Sequence, residues 1–182
     1  HSLEQTAKAW HYTQNSIMVS WAPHTHVYGL VCGLLLPLYY GSTVIILSPA
    51  EFIKKPITWL RAIDQYNATH SGCPNFGYDY SIESIDSAEC VGLNLKTWKV
   101  AVNGGEFINE GTLLKFFEKF SPYGFGKQSF HLAYGMSEVT GLIASHIYDF
   151  KIHKKKKKKK EDRSVLSVGK PLYGLKAVVV DP

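Results

Sequence analysis

Cysteine is scarce in this chain, with only Cys32, Cys73 and Cys90 among 182 residues. They are odd in number, far apart and in no CxxC pattern. That argues against a disulfide framework and a zinc site, and fits a reducing, cytosolic setting. Histidine supplies no metal set either: His24 and His26 form a pair, but no other histidine stands at ligand-like spacing. Positive charge is scarce outside one place. The formal net charge is +5, yet Lys154 to Lys160 carry seven positive charges, which leaves the rest of the chain at −2. No basic stripe interleaved with aromatics occurs elsewhere, so a nucleic-acid groove is not expected. The lysine run reads as a solvated, mobile loop within 145–167. Its rival reading is a nuclear-localisation, polyanion-binding or membrane-surface patch.

A membrane span is also missing. Val27 to Leu47 is free of charge and long enough to cross a bilayer, but Gly29, Gly33, Pro37, Gly41 and Ser42 interrupt it. The stretch predicts a helix over Tyr28 to Leu36, a turn, and a buried β-branched strand over Thr43 to Leu47. No signal-peptide pattern opens the chain at His1.

What the chain does have is apolar residues enough for a core: 45% are hydrophobic and 13% aromatic, which excludes a disordered segment. Short apolar strands are expected at Ile17–Trp21, Thr43–Leu47, Ala68–Ser71, Trp98–Val102, Ser129–Ala133 and Leu175–Val180. Amphipathic helices are expected between them. One opens at Pro56 with Trp59, Leu60, Ile63 and Tyr66 on one face. Another opens at Pro74 with Tyr78, Ile82 and Ile85, and a third is capped by Asn109 and buries Leu113, Phe116, Phe117 and Phe120. This alternation predicts an α/β fold, a mostly parallel sheet with helices on both faces. Both ends read as cut, so the chain is expected to be an internal piece of a larger domain.

Two glycine-containing turns follow strands: Asn103-Gly104-Gly105-Glu106 and Tyr134-Gly135-Met136-Ser137-Glu138. Each is expected to bring free backbone N–H groups, a polar side chain and a carboxylate to a strand end, where open α/β sheets collect ligands. Together they suggest a site for ATP and a metal ion.

With these turns, several collinear segments resemble the fatty-acyl-AMP ligases of the adenylate-forming, AMP-binding superfamily. They are Ser20-Trp21-Ala22-Pro23 with His26 and Gly29-Leu30, then Leu35-Leu36-Pro37-Leu38-Tyr39, Ser48-Pro49, Trp59 to Ile63, Pro74 to Tyr80, Gly169 to Leu172 and Val178 to Pro182. The resemblance covers nearly the whole chain except about Ser145 to Ser167. It implies a partial large N-terminal domain of an enzyme that joins a fatty acid to the AMP of ATP. The acyl group is then passed to the thiol of an acyl carrier protein or of CoA.

The resemblance also implies residue roles. Glu138 would hold Mg²⁺, Tyr134 would stack on adenine, and Gly135, Met136 and Ser137 would complete that nucleotide turn. Asn103, Gly104, Gly105 and Glu106 would form the adenine-binding turn. His26 would sit near the carboxylate and α-phosphate, and Ser71, Gly72, Asn75 and Phe76 would line the acyl tunnel. Two departures bear on substrate choice: Val27-Tyr28 stands where the family usually has Asp-Met, and the segment after Glu138 is short and lysine-rich. The family's phosphate loop, its ribose-binding aspartate and its C-terminal lysine have no counterpart in this sequence, so the isolated chain is expected to be inactive. The rival readings are an acyl-CoA synthetase, a peptide-synthetase adenylation domain, and a non-catalytic acyl- or nucleotide-binding module.

Overall fold

A computed structural model describes residues 1–150, 166–178 and 180. Six strands form one sheet in the order β2-β1-β3-β4-β5-β6. They are β1 (Ile17–Ser20), β2 (Thr43–Ile46), β3 (His70–Cys73), β4 (Val100–Gly104), β5 (Phe130–Met136) and β6 (Gly141–Ile147). The first five run parallel, and β6 turns back antiparallel on β5. The strand order reverses at β1, which pairs with β2 on one side and β3 on the other.

Side chains alternate between the two faces of the sheet, as a pleated strand requires. Ala101 points into a core with Trp59, Tyr78, Phe116 and Phe130, while Val100 and Val102 join Trp10, Met18, Val31 and Leu36 opposite. The first face is covered by α3 (Pro49–Lys54), α4 (Ile57–Gln65), α5 (Asn75–Ser84) and α6 (Glu110–Phe120). The second is covered by α1 (Ser2–Trp10), a π-helix (Tyr28–Leu35) and the short α2 (Leu36–Tyr40) that follows it. Asn109 caps α6, its side chain accepting from the Gly111 N–H at 2.8 Å.

The expected α/β architecture is present, with corrections at the element level. The helix expected over Tyr28–Leu36 is π-helical from Tyr28 to Leu35, and Gly29 and Gly33 let it lie against Pro23 and Ser20. The helix Pro49–Lys54 was not anticipated. Ser48 starts it with a capping box completed by Glu51, a signal the short segment hid. Tyr66 lies beyond α4 and is exposed rather than on its buried face.

The strands at β4 and β5 run further than expected. Asn103 and Gly104 are the last residues of β4, and Tyr134, Gly135 and Met136 belong to β5, so only Gly105-Glu106 and Ser137-Glu138 are true turns. Strand β6, also unanticipated, takes in residues 145–147, and Tyr148 and Phe150 beyond it are buried. Residues 145–147 are therefore strand rather than the expected loop. The lysine run lies outside the described residues. The expected strand Leu175–Val180 forms no ladder among the described residues. Pro171 makes only an isolated bridge to Ala144, and Val178 is exposed. A β-branched run becomes a strand only where a neighbouring edge is free to pair with it.

Candidate functional site

One row of paired residues positions the site. Cys73 on β3 stands beside Asn103 on β4, which stands beside Leu132 on β5. The three chains leave that row together at the carboxyl ends of the strands. Pro74-Asn75-Phe76, Gly104-Gly105-Glu106 and Ala133-Tyr134-Gly135 therefore emerge side by side. On the sheet's other flank, β1 ends at Ser20 and leads through Trp21 to His26.

Glycine is required where these chains nearly touch. A Cβ on Gly104 would collide with the Ala133 carbonyl oxygen, and one on Gly135 would collide with that of Gly141. Gly105 differs: its φ is +86° and the space around it is open, so its backbone conformation rather than crowding favours glycine.

The exposed rim consists of Tyr134, Met136, Ser137 and Glu138, with Phe76 and Phe107 beside α5 and β4. Tyr134 is 48% exposed, enough to offer a ring face to a planar ligand. Glu138 lies in the single turn Ser137–Val139 and makes no hydrogen bond or ion pair among the described residues. No group of three His, Cys, Asp or Glu side chains able to hold a metal occurs among them. A lone exposed carboxylate fits a hard cation shared with phosphate oxygens, not one held by protein alone.

His26 is exposed at the entrance to the π-helix. The Tyr28 N–H donates to its Nδ1 at 3.1 Å, so in the neutral ring the proton resides on Nε2. His26 therefore presents an N–H donor outward, suited to a carboxylate or phosphate oxygen.

Beneath the rim lies a polar network that the sequence did not reveal. Asn75 is its hub. Its Oδ1 accepts from Asn103 Nδ2 (3.2 Å) and from the Asn109 N–H (3.0 Å), and its Nδ2 donates to Asp79 Oδ2 (2.8 Å) and Thr112 Oγ1 (3.1 Å). One side chain thus ties β4, α5 and the start of α6 together. Asn103 is fully buried, and its Oδ1 has no partner among the described residues.

Glu106 accepts from the Phe76 N–H at 2.6 Å. Phe76 is in the first turn of α5, whose own N-cap residue, Pro74, supplies no side-chain bond. The carboxylate therefore caps the helix from another strand, where the dipole favours negative charge. No spacing rule links residues so far apart, so sequence reasoning had no signal for it.

Two expected acyl-lining residues are placed elsewhere. Ser71 faces the helical core, its Oγ accepting from Trp59 Nε1 and donating to the Val19 carbonyl, both at 2.7 Å. Asn75 has its amide consumed by the network. Phe76 is exposed beyond β3's end, whereas Gly72 is buried within the strand, crowded by Val102 and the Tyr28 hydroxyl. Cys73, between them, is buried, and burial followed by the nearby Glu106 pushes its thiol well above the ordinary range. It is therefore not poised as a nucleophile.

A doubly wound sheet with glycine-bearing strand ends and a lone carboxylate on the rim is an open α/β architecture, of the kind that collects ligands beyond its strand ends. The sequence profile of the AMP-binding enzyme family matches residues 1–182, and the chain belongs to that family. Along its whole length it is 34% identical to the medium-chain-fatty-acid–[acyl-carrier-protein] ligase JamA of Moorena producens, of which it covers 34%. It is 38% identical over 73% of its length to the ligase of the same description, TtuA, from Teredinibacter turnerae, and covers 21% of it. The chain thus spans about a third or less of the curated relatives it matches. Among solved structures, the fatty acyl-adenylate ligase of L. pneumophila in complex with acyl adenylate and pyrophosphate superposes with a TM-score of 0.78. The identity is 38%, covering 79% of this chain and 25% of that one.

Proposed function

We propose that the protein carrying this chain is a fatty-acid–AMP ligase that uses ATP and Mg²⁺ and delivers its acyl group to an acyl carrier protein. The observation that carries this reading is the joint exit of β3, β4 and β5, which sets Phe76, Glu106 and the Tyr134–Glu138 segment along one rim. The named activities of the relatives and the acyl adenylate bound in the solved neighbour support the substrate class.

The chemistry asks for two anions to meet. A carboxylate oxygen of the fatty acid attacks the α-phosphorus, the bond to the bridging oxygen of pyrophosphate breaks, and pyrophosphate leaves. A thiol then attacks the acyl carbonyl and AMP leaves. Charge offset is the main need of the first step. The Nε2–H of His26 donates to one of the meeting oxygens and reduces their repulsion. Glu138 would hold Mg²⁺, which would supply Lewis-acid stabilisation of the charge on the leaving pyrophosphate. Tyr134 offers its ring to the adenine. Among the described residues no helix is long and apolar enough to cross a membrane.

ATP–pyrophosphate exchange in the full-length protein, run with fatty, amino and keto acids, tests the proposal. Exchange that requires a fatty acid supports it. Exchange with amino or keto acids alone assigns a peptide-synthetase-type activity instead. ATP binding without exchange would leave a non-catalytic module.

A further inference from the structure

We infer that Thr140 is a positioning residue, one that fixes the turn carrying Glu138 and so decides where that carboxylate is presented, an inference that rests on the ligase reading above. Strands β5 and β6 are joined by Ser137 to Thr140, between the paired Met136 and Gly141. Hairpin connections of this length are built around a tight turn. This one closes with its last residue in the left-handed region, Thr140 having φ 60° and ψ 31°. Among the described residues, only His11 and Asn67 share a positive φ without being glycine. Histidine and asparagine tolerate that conformation, whereas a β-branched side chain is strained by it.

Packing does not account for threonine here. Its side chain is exposed, and its hydroxyl makes no hydrogen bond among the described residues. Its backbone, in contrast, is engaged on both sides. The Thr140 N–H donates to the Ser137 carbonyl at 3.0 Å, and its carbonyl accepts from Ser2 Oγ, at the start of α1, at 3.1 Å. Gly135 and Gly141 lie in backbone contact beside the turn, and Gly141 also has a positive φ, of +124°. The turn is thus pinned at its base, and its left-handed position holds a stiff residue with few alternative conformations. Glycine would relieve the strain but open further backbone wells. Glu138, two residues earlier and unpartnered among the described residues, would shift with them. Strain kept beside a functional group is a mark of pre-organisation. A turn residue with no other role predicts the opposite: glycine at position 140 would serve stability and activity at least as well as threonine.

The test compares full-length wild type with Thr140→Gly, Thr140→Val and Glu138→Ala in three measurements. They are the urea midpoint without ATP or metal, the affinity for Mn²⁺–ATP by electron paramagnetic resonance titration without any acid, and kcat and KM for fatty-acid-dependent exchange. Thr140→Gly is expected to keep or raise the urea midpoint. It should nevertheless weaken Mn²⁺–ATP binding and lower kcat by about tenfold or more, toward the ~10²-fold that a 1 Å misplacement costs. KM for the fatty acid should stay close to that of wild type. Thr140→Val, which keeps the branch and drops the hydroxyl, should behave as wild type in all three. A Thr140→Gly variant that matches wild type in Mn²⁺–ATP affinity and kcat, where Glu138→Ala loses both, overturns the role of Thr140 and leaves that of Glu138. A midpoint that falls in step with the kinetics makes Thr140 structural and overturns the inference. Equal losses in the Val and Gly variants assign the effect to the hydroxyl and overturn the account from backbone stiffness. Mn²⁺–ATP affinity unmoved by Glu138→Ala overturns the metal role of Glu138, and this inference with it, while exchange still reports on the ligase reading. A wild type without fatty-acid-dependent exchange overturns the ligase reading itself.

Discussion

Glu138 and Glu106 lie on the same rim and differ in what they touch, and that difference predicts how each responds to substitution. Glu138 is exposed and unpartnered among the described residues. Glu138→Ala should leave the urea midpoint unchanged while lowering exchange by two decades or more, in line with the several kcal/mol that metal-assisted charge stabilisation supplies. An equal loss of midpoint and rate would show the residue to be structural. Glu106 caps α5 through the Phe76 N–H. Glu106→Ala should cost about 0.5–2 kcal/mol of stability, the range for a lost helix cap, and Glu106→Gln, which keeps an acceptor, should recover most of it. Asn75 has more partners still. Asn75→Ala should cost more than either, on the order of 2–4 kcal/mol, because Asn103 and Thr112 are buried and lose their partner. The three variants together separate the rim from the network beneath it in one denaturation series.

At the scale of elements, the contact between α1 and β3 depends on a histidine. His70 is almost fully buried; its Nε2–H donates to the Trp10 carbonyl (2.9 Å), and its Nδ1 accepts from the Thr69 hydroxyl (2.7 Å). Burial lowers its pKa from 6.5 to about 4, against the opposing pull of the Trp10 bond. Between those values the unfolded chain binds the proton and the folded one does not. Stability is therefore complete above about pH 6.5 and is lost as pH falls toward 4, by up to about 3 kcal/mol from this group. His131, also lowered by burial, adds loss of the same sign. Urea midpoints measured between pH 7.5 and 4 should fall in the wild type, and fall less in His70→Gln, whose amide can still donate to Trp10. Parallel slopes would exclude His70 as the source. The same scale explains why motif residues were misassigned to turns. The spacing of Asn103–Glu106 and Tyr134–Glu138 marked two strand ends correctly. However, β4 and β5 continue through their first residues because Gly104 and Gly135 permit backbone contact that any side chain would block. Ser71 was assigned to a ligand wall by the family resemblance, and only the pleat of β3 decided that it faces Trp59.

For the whole molecule, the two edges of the sheet are unlike. On one side β6 reverses direction and packs against α1, while on the other β2 has no further strand paired to it among the described residues, with Ile46 exposed and no charge from Val27 to Leu47. An apolar, uncharged edge is a template for unwanted pairing. Ile46→Lys should slow aggregation of this chain in light-scattering measurements with little change in urea midpoint; unchanged aggregation would move the liability elsewhere. The class of fold, the order of most strands and helices, and the segments that meet at the site were legible in the residues alone. Those follow from hydrophobic period, caps and glycine placement, which act over a few residues. Packing in three dimensions alone set that Glu106 caps α5, that Asn75 is the hub of a buried network, that β6 runs antiparallel, and that the Tyr28 hydroxyl lies where a Cβ on Gly72 would stand. Each joins residues brought together by strand register and helix packing, and no local spacing in a chain encodes which distant neighbour a side chain will meet.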